Sequence, residues 1–253
     1  NFKRMLPATY NPVRALPRRL KPSVKRPEAR FLEVPDAARL LEACRAVPSK
    51  RPDLACPFLY ELVATFLLTG GRRREVLGLE VDDVSFDRRT VTFRPNHWRR
   101  LKNATSARVV PLWPQLETIL RAYIFPADRT PRSGLLFPGE SRGGQVGLVH
   151  DFRKSLQVAL AAAEIVGPVT PKAFRHTYCS ARSQTVDRGQ PIAEATVVGE
   201  MGHGSDSMVR NIYRHLGTVR HRAKVVEYRN RMSGDKAVVT GRSPQQAKSL
   251  LRP

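Results

Sequence analysis

The chain has 253 residues, room for one large domain or two modest ones around a real hydrophobic core. Hydrophobic residues make up 41% of it, which excludes a disordered chain, and no run approaches the ~18 consecutive apolar residues of a membrane span, so no membrane-spanning segment is expected. Lysine and arginine number 44 against 22 acids, a net charge of +22 that repels itself unless a polyanion neutralises it; nucleic acid is the expected partner and an anionic membrane surface the runner-up.

Residues 1–30 read as a linker. Pro7, Pro12, Pro17, Pro22 and Pro27 recur through it, and nine basic residues stand there against one acid, Glu28. Proline at that density blocks helix and favours extended backbone, a basic strap suited to a phosphate backbone or a solvated tether. Helical spacing starts at "VPDAARLLEACRAV", where Leu40, Leu41, Cys44 and Val47 share a face. "LACPFLYELVATFLLTG" is apolar on most faces, hence central to the core, and ends at Gly70 and Gly71. "RRREVLGL" restarts a short helix. "LEVDDVSF", "TVTFRP" and "ARVVPLW" are short runs with turn residues between them, read as a three-stranded antiparallel sheet, with Lys102 in the loop entering the last strand.

From Trp113 the pattern is helical again. Leu116, Ile119, Leu120 and Tyr123 fit one face; Val149, Phe152, Leu156, Ala159, Leu160 and Ala163 fit another. "TPKAFRHTYCSA" opens with Thr170 as N-cap and Pro171 in the first turn. Two short helices are expected between Ala193 and His215, then an amphipathic helix from Thr218 to Met232 and a polar tail over 233–253. Cys44, Cys56 and Cys179 lack metal-ligand spacing and read as reduced, buried thiols of a cytosolic protein. The chain opens at Asn1 rather than a methionine, and a longer parent protein is expected. The fold class predicted is mainly α with a small antiparallel β-sheet (α+β), with residues 31–232 as the domain that carries the chemistry.

Attack on a DNA phosphodiester defines what such a chain would need. The phosphate is anionic, and the equatorial oxygens of the pentacoordinate transition state carry the charge. Planar guanidinium groups bind such oxygens bidentately. The leaving oxygen needs a proton from a positioned acid, and a nucleophile must stand in line. The sequence offers a set of that kind. Arg72 follows "TGG" at a helix start, where freed N–H groups favour an anion. Lys172 and Arg175 lie three apart on one helix face. His203 follows Gly202, and Tyr213 closes the series. Singly each has an ordinary reading: Arg72 and Lys102 as solvated surface, His203 as a turn residue, Tyr213 as core beside Met208, Val209 and Ile212. His176 and Tyr178 read as structural.

The order and spacing of "TGGRRREVLGL", "KNATSARVVPL", "TPKAFRHTYCS" and "EMGHGSDSMVRNIYRHL" resemble the successive boxes of the tyrosine recombinase, or phage integrase, family. The resemblance runs from about Phe31 to Arg231. It places the family's first arginine on Arg72 with its acidic neighbour on Glu75, the β-hairpin lysine on Lys102, the second arginine on Arg175, the histidine or tryptophan position on His203 and the nucleophile on Tyr213. It implies phosphate binding by Arg72, Lys172, Arg175 and His203, proton donation by Lys102, and no cofactor or metal. One position departs from the pattern: Lys172 stands where the family usually has histidine. An ammonium donates hydrogen bonds but is a poor base at neutral pH unless it is buried, so Lys172 is assigned to phosphate binding and the base for Tyr213 is left unassigned.

What the resemblance implies is a site-specific recombinase working through a 3′-phosphotyrosyl intermediate on double-stranded DNA sites. It implies a homotetramer, a preceding core-binding domain that this chain lacks, and a place at the bacterial nucleoid in the cytoplasm. The competing readings are a type IB topoisomerase-like relaxation of DNA, and a non-catalytic DNA-binding protein whose Lys172 marks a degenerate site.

Overall fold

The computed structural model describes residues 16–17, 20, 30–50, 56–101, 106–140, 144–149, 151–187 and 190–202. In chain order the elements are α1 (Val34–Lys50), α2 (Leu59–Thr69), α3 (Arg73–Leu77), a 3-10 turn (Val81–Asp83), β1 (Val84–Ser85), β2 (Thr90–Phe93), β3 (Arg108–Pro111), α4 (Pro114–Ile124), β4 (Pro138–Glu140), β5 (Val146–Leu148), α5 (Arg153–Ala162), α6 (Pro171–Ser183), β6 (Val186–Asp187), β7 (Gln190–Pro191) and α7 (Glu194–Met201). The tail helix expected over 218–232, the second short helix before His215 and nearly all of the strap lie outside the described residues.

The α2 helix is the axis of the core. Leu59, Leu62, Val63, Ala64, Phe66, Leu67 and Leu68 are all buried, and each such side chain of leucine or phenylalanine size contributes roughly 1.5–3 kcal/mol. α1, α4 and α6 pack around it. Phe66 anchors the contact, its ring 5.8 Å from Phe152 and 6.0 Å from Phe174. The helix begins at Leu59, not at the start of the apolar run: Pro57 has no amide to give a helical ladder and disfavours helical backbone before it.

The three-stranded sheet has the order β1-β2-β3, antiparallel throughout, with Val91 opposite Val110 and Phe93 opposite Arg108. Val91, Phe93 and Val110 face the core while Val109 faces outward, the two-residue alternation of a half-buried sheet. Two further ribbons, β4–β5 and β6–β7, were not expected from sequence. Strands of two or three residues built on Gly139, Gly147 and Pro191 are too short to alternate.

The chain just before α1 is tied to α6 and to the loop that precedes it. The backbone N–H of Leu32 donates to Thr177 Oγ1 at 2.8 Å, and Arg30 donates to the Val166 carbonyl. Cys44, Cys56 and Cys179 are buried free thiols. Among the described residues, no helix is long and apolar enough to cross a membrane.

Candidate active site

α2 stops at Thr69 because Gly70 adopts left-handed backbone, φ 60° and ψ 19°, and its N–H closes back on the Phe66 carbonyl. A side chain here would be strained, and a Cβ would stand 2.6 Å from Tyr178 Cδ1. The tight corner delivers Arg72 in extended backbone at the head of α3. The head of α3 is not an open anion site, as the sequence suggested. Glu75 caps it, its Oε2 accepting from the Arg72 backbone N–H at 2.9 Å. The Arg72 guanidinium is held on three sides: Nη1 donates to Glu75 Oε1 at 2.7 Å and to Ser106 Oγ at 3.1 Å, and Nη2 to the Gly202 carbonyl at 3.0 Å. Its side chain stays 28% exposed, so one edge faces outward.

α6 delivers the second arginine. Thr170 precedes it in extended backbone and Pro171 takes the first helical position, as the sequence predicts. Lys172 is exposed and Arg175, one turn on, is buried. Arg175 Nη1 donates to the Gly70 carbonyl at 2.6 Å, and Nη2 to the Met201 carbonyl. Both acceptors lie at helix C-termini, the partly negative ends that favour a cation. Gly202, at φ 58°, gives α7 the same left-handed stop that Gly70 gives α2. Burial pulls the Arg175 guanidinium down to about 9, helped by the neighbouring charges of Arg72 and Arg108. The like charges of Arg72 and Arg108 disfavour its charged form, and the Glu75 carboxylate works the other way.

Arg108 stands behind this pair. Its Nη2 meets Glu75 Oε2 at 2.9 Å, its Nε donates to the Glu200 carbonyl at 2.7 Å and its Nη1 to the Ser106 carbonyl at 2.9 Å. Burial alone would raise the Glu75 carboxyl, but the charge and hydrogen bond of Arg108, joined by those of Arg72, bring it down to about 2. Glu200 anchors a second layer: its carboxylate accepts from Tyr178 Oη at 2.8 Å and from Arg182 Nε and Nη2 at 2.8 Å each. Tyr178 is therefore core, held far above the ordinary tyrosine range by burial and by Glu200. His176 is buried too, its Nδ1 without a hydrogen-bond partner among the described residues, and burial with the charges of Lys172 and Arg175 lowers its pKa.

Of the six predicted site residues, the structure brings Arg72 and Arg175 together and sets Lys172 one turn from Arg175. Lys102, His203 and Tyr213 lie outside the described residues, although described neighbours flank two of them: Ser106 closes the 102–105 segment, and Gly202 immediately precedes His203. Sequence reasoning missed Arg108, Ser106, Arg182 and Glu200. For Arg108 a signal existed, since strand alternation puts it on the inward face of Val110. Among the described residues, no group of three or more His, Cys, Asp or Glu side chains is placed to hold a metal ion.

Residues 30–219 match the Phage integrase family. The chain belongs to that family. It is similar to the virulence plasmid integrase pGP8-D of Chlamydia muridarum (strain MoPn / Nigg), 38% identical over 119 residues, covering 46% of this chain and 32% of that protein. The match thus spans about a third of that relative's length. Its fold is similar to that of the XerA recombinase, with TM-score 0.52 and 22% identity over 75% of this chain and 61% of the other. It is also similar to the Tn1549 transposon integrase in complex with transposon right end DNA, with TM-score 0.57 and 19% identity over 79% of this chain and 66% of the other. The mostly helical architecture with small antiparallel sheets is that of the phage integrase catalytic domain, as the sequence implied.

Proposed function

We propose that this protein is a site-specific DNA recombinase that cleaves and rejoins DNA through a 3′-phosphotyrosyl intermediate. The observation that carries the reading is the convergence of Arg72 and Arg175 on consecutive carbonyls, Gly202 and Met201, at the start of the segment that leads to His203 and Tyr213. Two guanidiniums held side by side at a part-open site fit the two non-bridging oxygens of one phosphate. Relationship to a plasmid integrase supports a mobile-element context.

In this reading Arg72 and Arg175 neutralise the phosphate, and Lys172 and His203 add donors. The Tyr213 oxygen attacks phosphorus as its phenolic proton passes to water or to the unassigned base, and the proton is returned when the phenol is released. The bond to the 5′-oxygen breaks, and that oxygen takes a proton from Lys102. A 5′-hydroxyl from a second duplex then attacks the phosphotyrosine, releasing the phenol and joining new partners. One phosphodiester replaces another of similar energy, so the cycle needs neither ATP nor metal, and positioning with charge neutralisation supplies most of the acceleration.

The partners we propose are double-stranded recombination sites, a homotetramer that brings two duplexes together, and a preceding core-binding domain joined by the strap of residues 1–30. Residues 31–232 form the catalytic unit and 233–253 a polar tail, acting in the bacterial cytoplasm at the nucleoid. The test is covalent trapping on a nicked suicide duplex. Wild-type protein forms an adduct stable to denaturant. Tyr213→Phe forms none while binding the duplex with nearly unchanged affinity. An adduct formed by Tyr213→Phe would remove Tyr213 from the nucleophile's role.

A further inference from the structure

We propose that Arg108 is a positioning residue of this site, which fixes Arg72 through Glu75 and Ser106 and ties both to Glu200, beside the carbonyls that hold Arg72 and Arg175. The inference rests on the recombinase reading and gives a role to a residue that lies inside the box "KNATSARVVPL" but carries no assigned role there.

Three nitrogens of one guanidinium reach three separate segments. Nη2 holds Glu75 of α3, Nη1 holds the Ser106 carbonyl at the end of the 102–105 segment, and Nε holds the Glu200 carbonyl in α7. Each of those segments carries or adjoins a site residue. Glu75 presents its other oxygen to Arg72, and the Ser106 hydroxyl accepts from the same Arg72 nitrogen. Glu200 stands just before Met201 and Gly202, whose carbonyls hold Arg175 and Arg72. The plane of Arg108 is set by the Phe93 ring, 4.3 Å beneath it on the paired strand. Its side chain is 5% exposed, so it acts through Glu75 rather than on the phosphate itself.

The geometry requires arginine. A planar fork can serve three acceptors at once, whereas a lysine ammonium is a point charge on a flexible stem. Lysine would keep the charge beside Glu75 but not the three-way registration. Glutamine would remove the charge, and Glu75 would then lose the cation that does most to keep it ionised.

The experiment compares wild type, Arg108→Lys and Arg108→Gln on the nicked suicide duplex, with folding followed by circular dichroism and binding by titration. Arg108→Lys is expected to fold and bind DNA as wild type does, yet to cleave bound DNA about a hundredfold more slowly, the scale of loss for small misplacement of reacting groups. In Arg108→Gln the acidic limb of the cleavage profile is expected to move to higher pH, because Glu75 takes up a proton sooner and releases Arg72. Cleavage of bound DNA by Arg108→Lys at the wild-type rate would overturn the proposal. So would loss of the fold in both variants, which would reduce Arg108 to a structural ion-pair partner. Failure of wild type to trap DNA would overturn the recombinase reading instead.

Discussion

Arg72 and Arg175 donate to neighbouring carbonyls of the same turn, Arg72 to Gly202 at 3.0 Å and Arg175 to Met201. Residues distant in sequence are thereby fixed side by side by the end of α7 rather than by each other. The arrangement stores repulsion, and the buried Glu75 carboxylate offsets part of it. In the proposed function a DNA phosphate bound between the two guanidiniums is a further anion for the pair.

Glu75 leads to a stability prediction. Its carboxyl falls from an ordinary 4.5 to about 2 in the fold, because Arg108 and Arg72 outweigh the cost of burial. A lowered carboxyl pKa contributes stability that is complete above the unfolded value and lost as pH falls through the folded one. Glu75→Gln should therefore be less stable at pH 7 by about 3–5 kcal/mol, having left Arg108 buried beside a neutral partner. Between pH 4.5 and about 2 its stability should change less than that of wild type. Urea unfolding at pH 7 and pH 3 measures both; equal wild-type and variant stabilities at pH 7 would refute the ion-pair account.

Gly70→Ala tests the corner that aims Arg72 and Arg175. The new methyl would sit at φ 60° and 2.6 Å from the Tyr178 ring, which cannot swing away because its hydroxyl is held by Glu200. Overpacking of this kind costs about 1–3 kcal/mol. Because the Gly70 carbonyl accepts from Arg175, the variant should also cleave more slowly than its lost stability explains. Thermal melts together with single-turnover cleavage separate the two effects, and an unchanged cleavage rate in a destabilised protein would show that the corner does not position Arg175.

Much of the fold was legible in the sequence because it follows local periodicity. The faces built on Leu40, Leu41, Cys44 and Val47, on Leu116, Ile119, Leu120 and Tyr123, and on Phe152, Leu156, Ala159 and Leu160 are all buried where helical spacing puts them. The site was legible only in part. Arg72 and Arg175 were candidates for phosphate binding by residue type and position, and resemblance to a family joined them, since nothing local shows that two arginines so far apart will meet. Arg108 was hidden because an arginine in a strand reads as surface, although Val109 at 56% exposed marks the outward face and leaves Arg108 on the inner one. The Arg182–Glu200 pair had no local signal at all; it forms where α7 packs against α6.

Lys102 has a chemical test of its own. If it protonates the 5′-oxygen as that group departs, Lys102→Ala should fail on a normal phosphodiester. It should cleave a duplex carrying a 5′-thiol leaving group at close to the wild-type rate, because a thiolate leaves without an acid. Parallel rates on the two substrates decide the point, and equal loss on both would take Lys102 out of that role.

In the proposed reaction Arg72 and Arg175 neutralise the non-bridging oxygens of one phosphate. The most direct measurement replaces one of those oxygens by methyl at the cleaved position, removing the charge that the guanidiniums are there to balance. Arg72→Ala and Arg175→Ala should each lose cleavage of the ordinary phosphodiester and recover it, in large part, on the methylphosphonate. Equal loss by both variants on both substrates, with DNA still bound, would contradict the account.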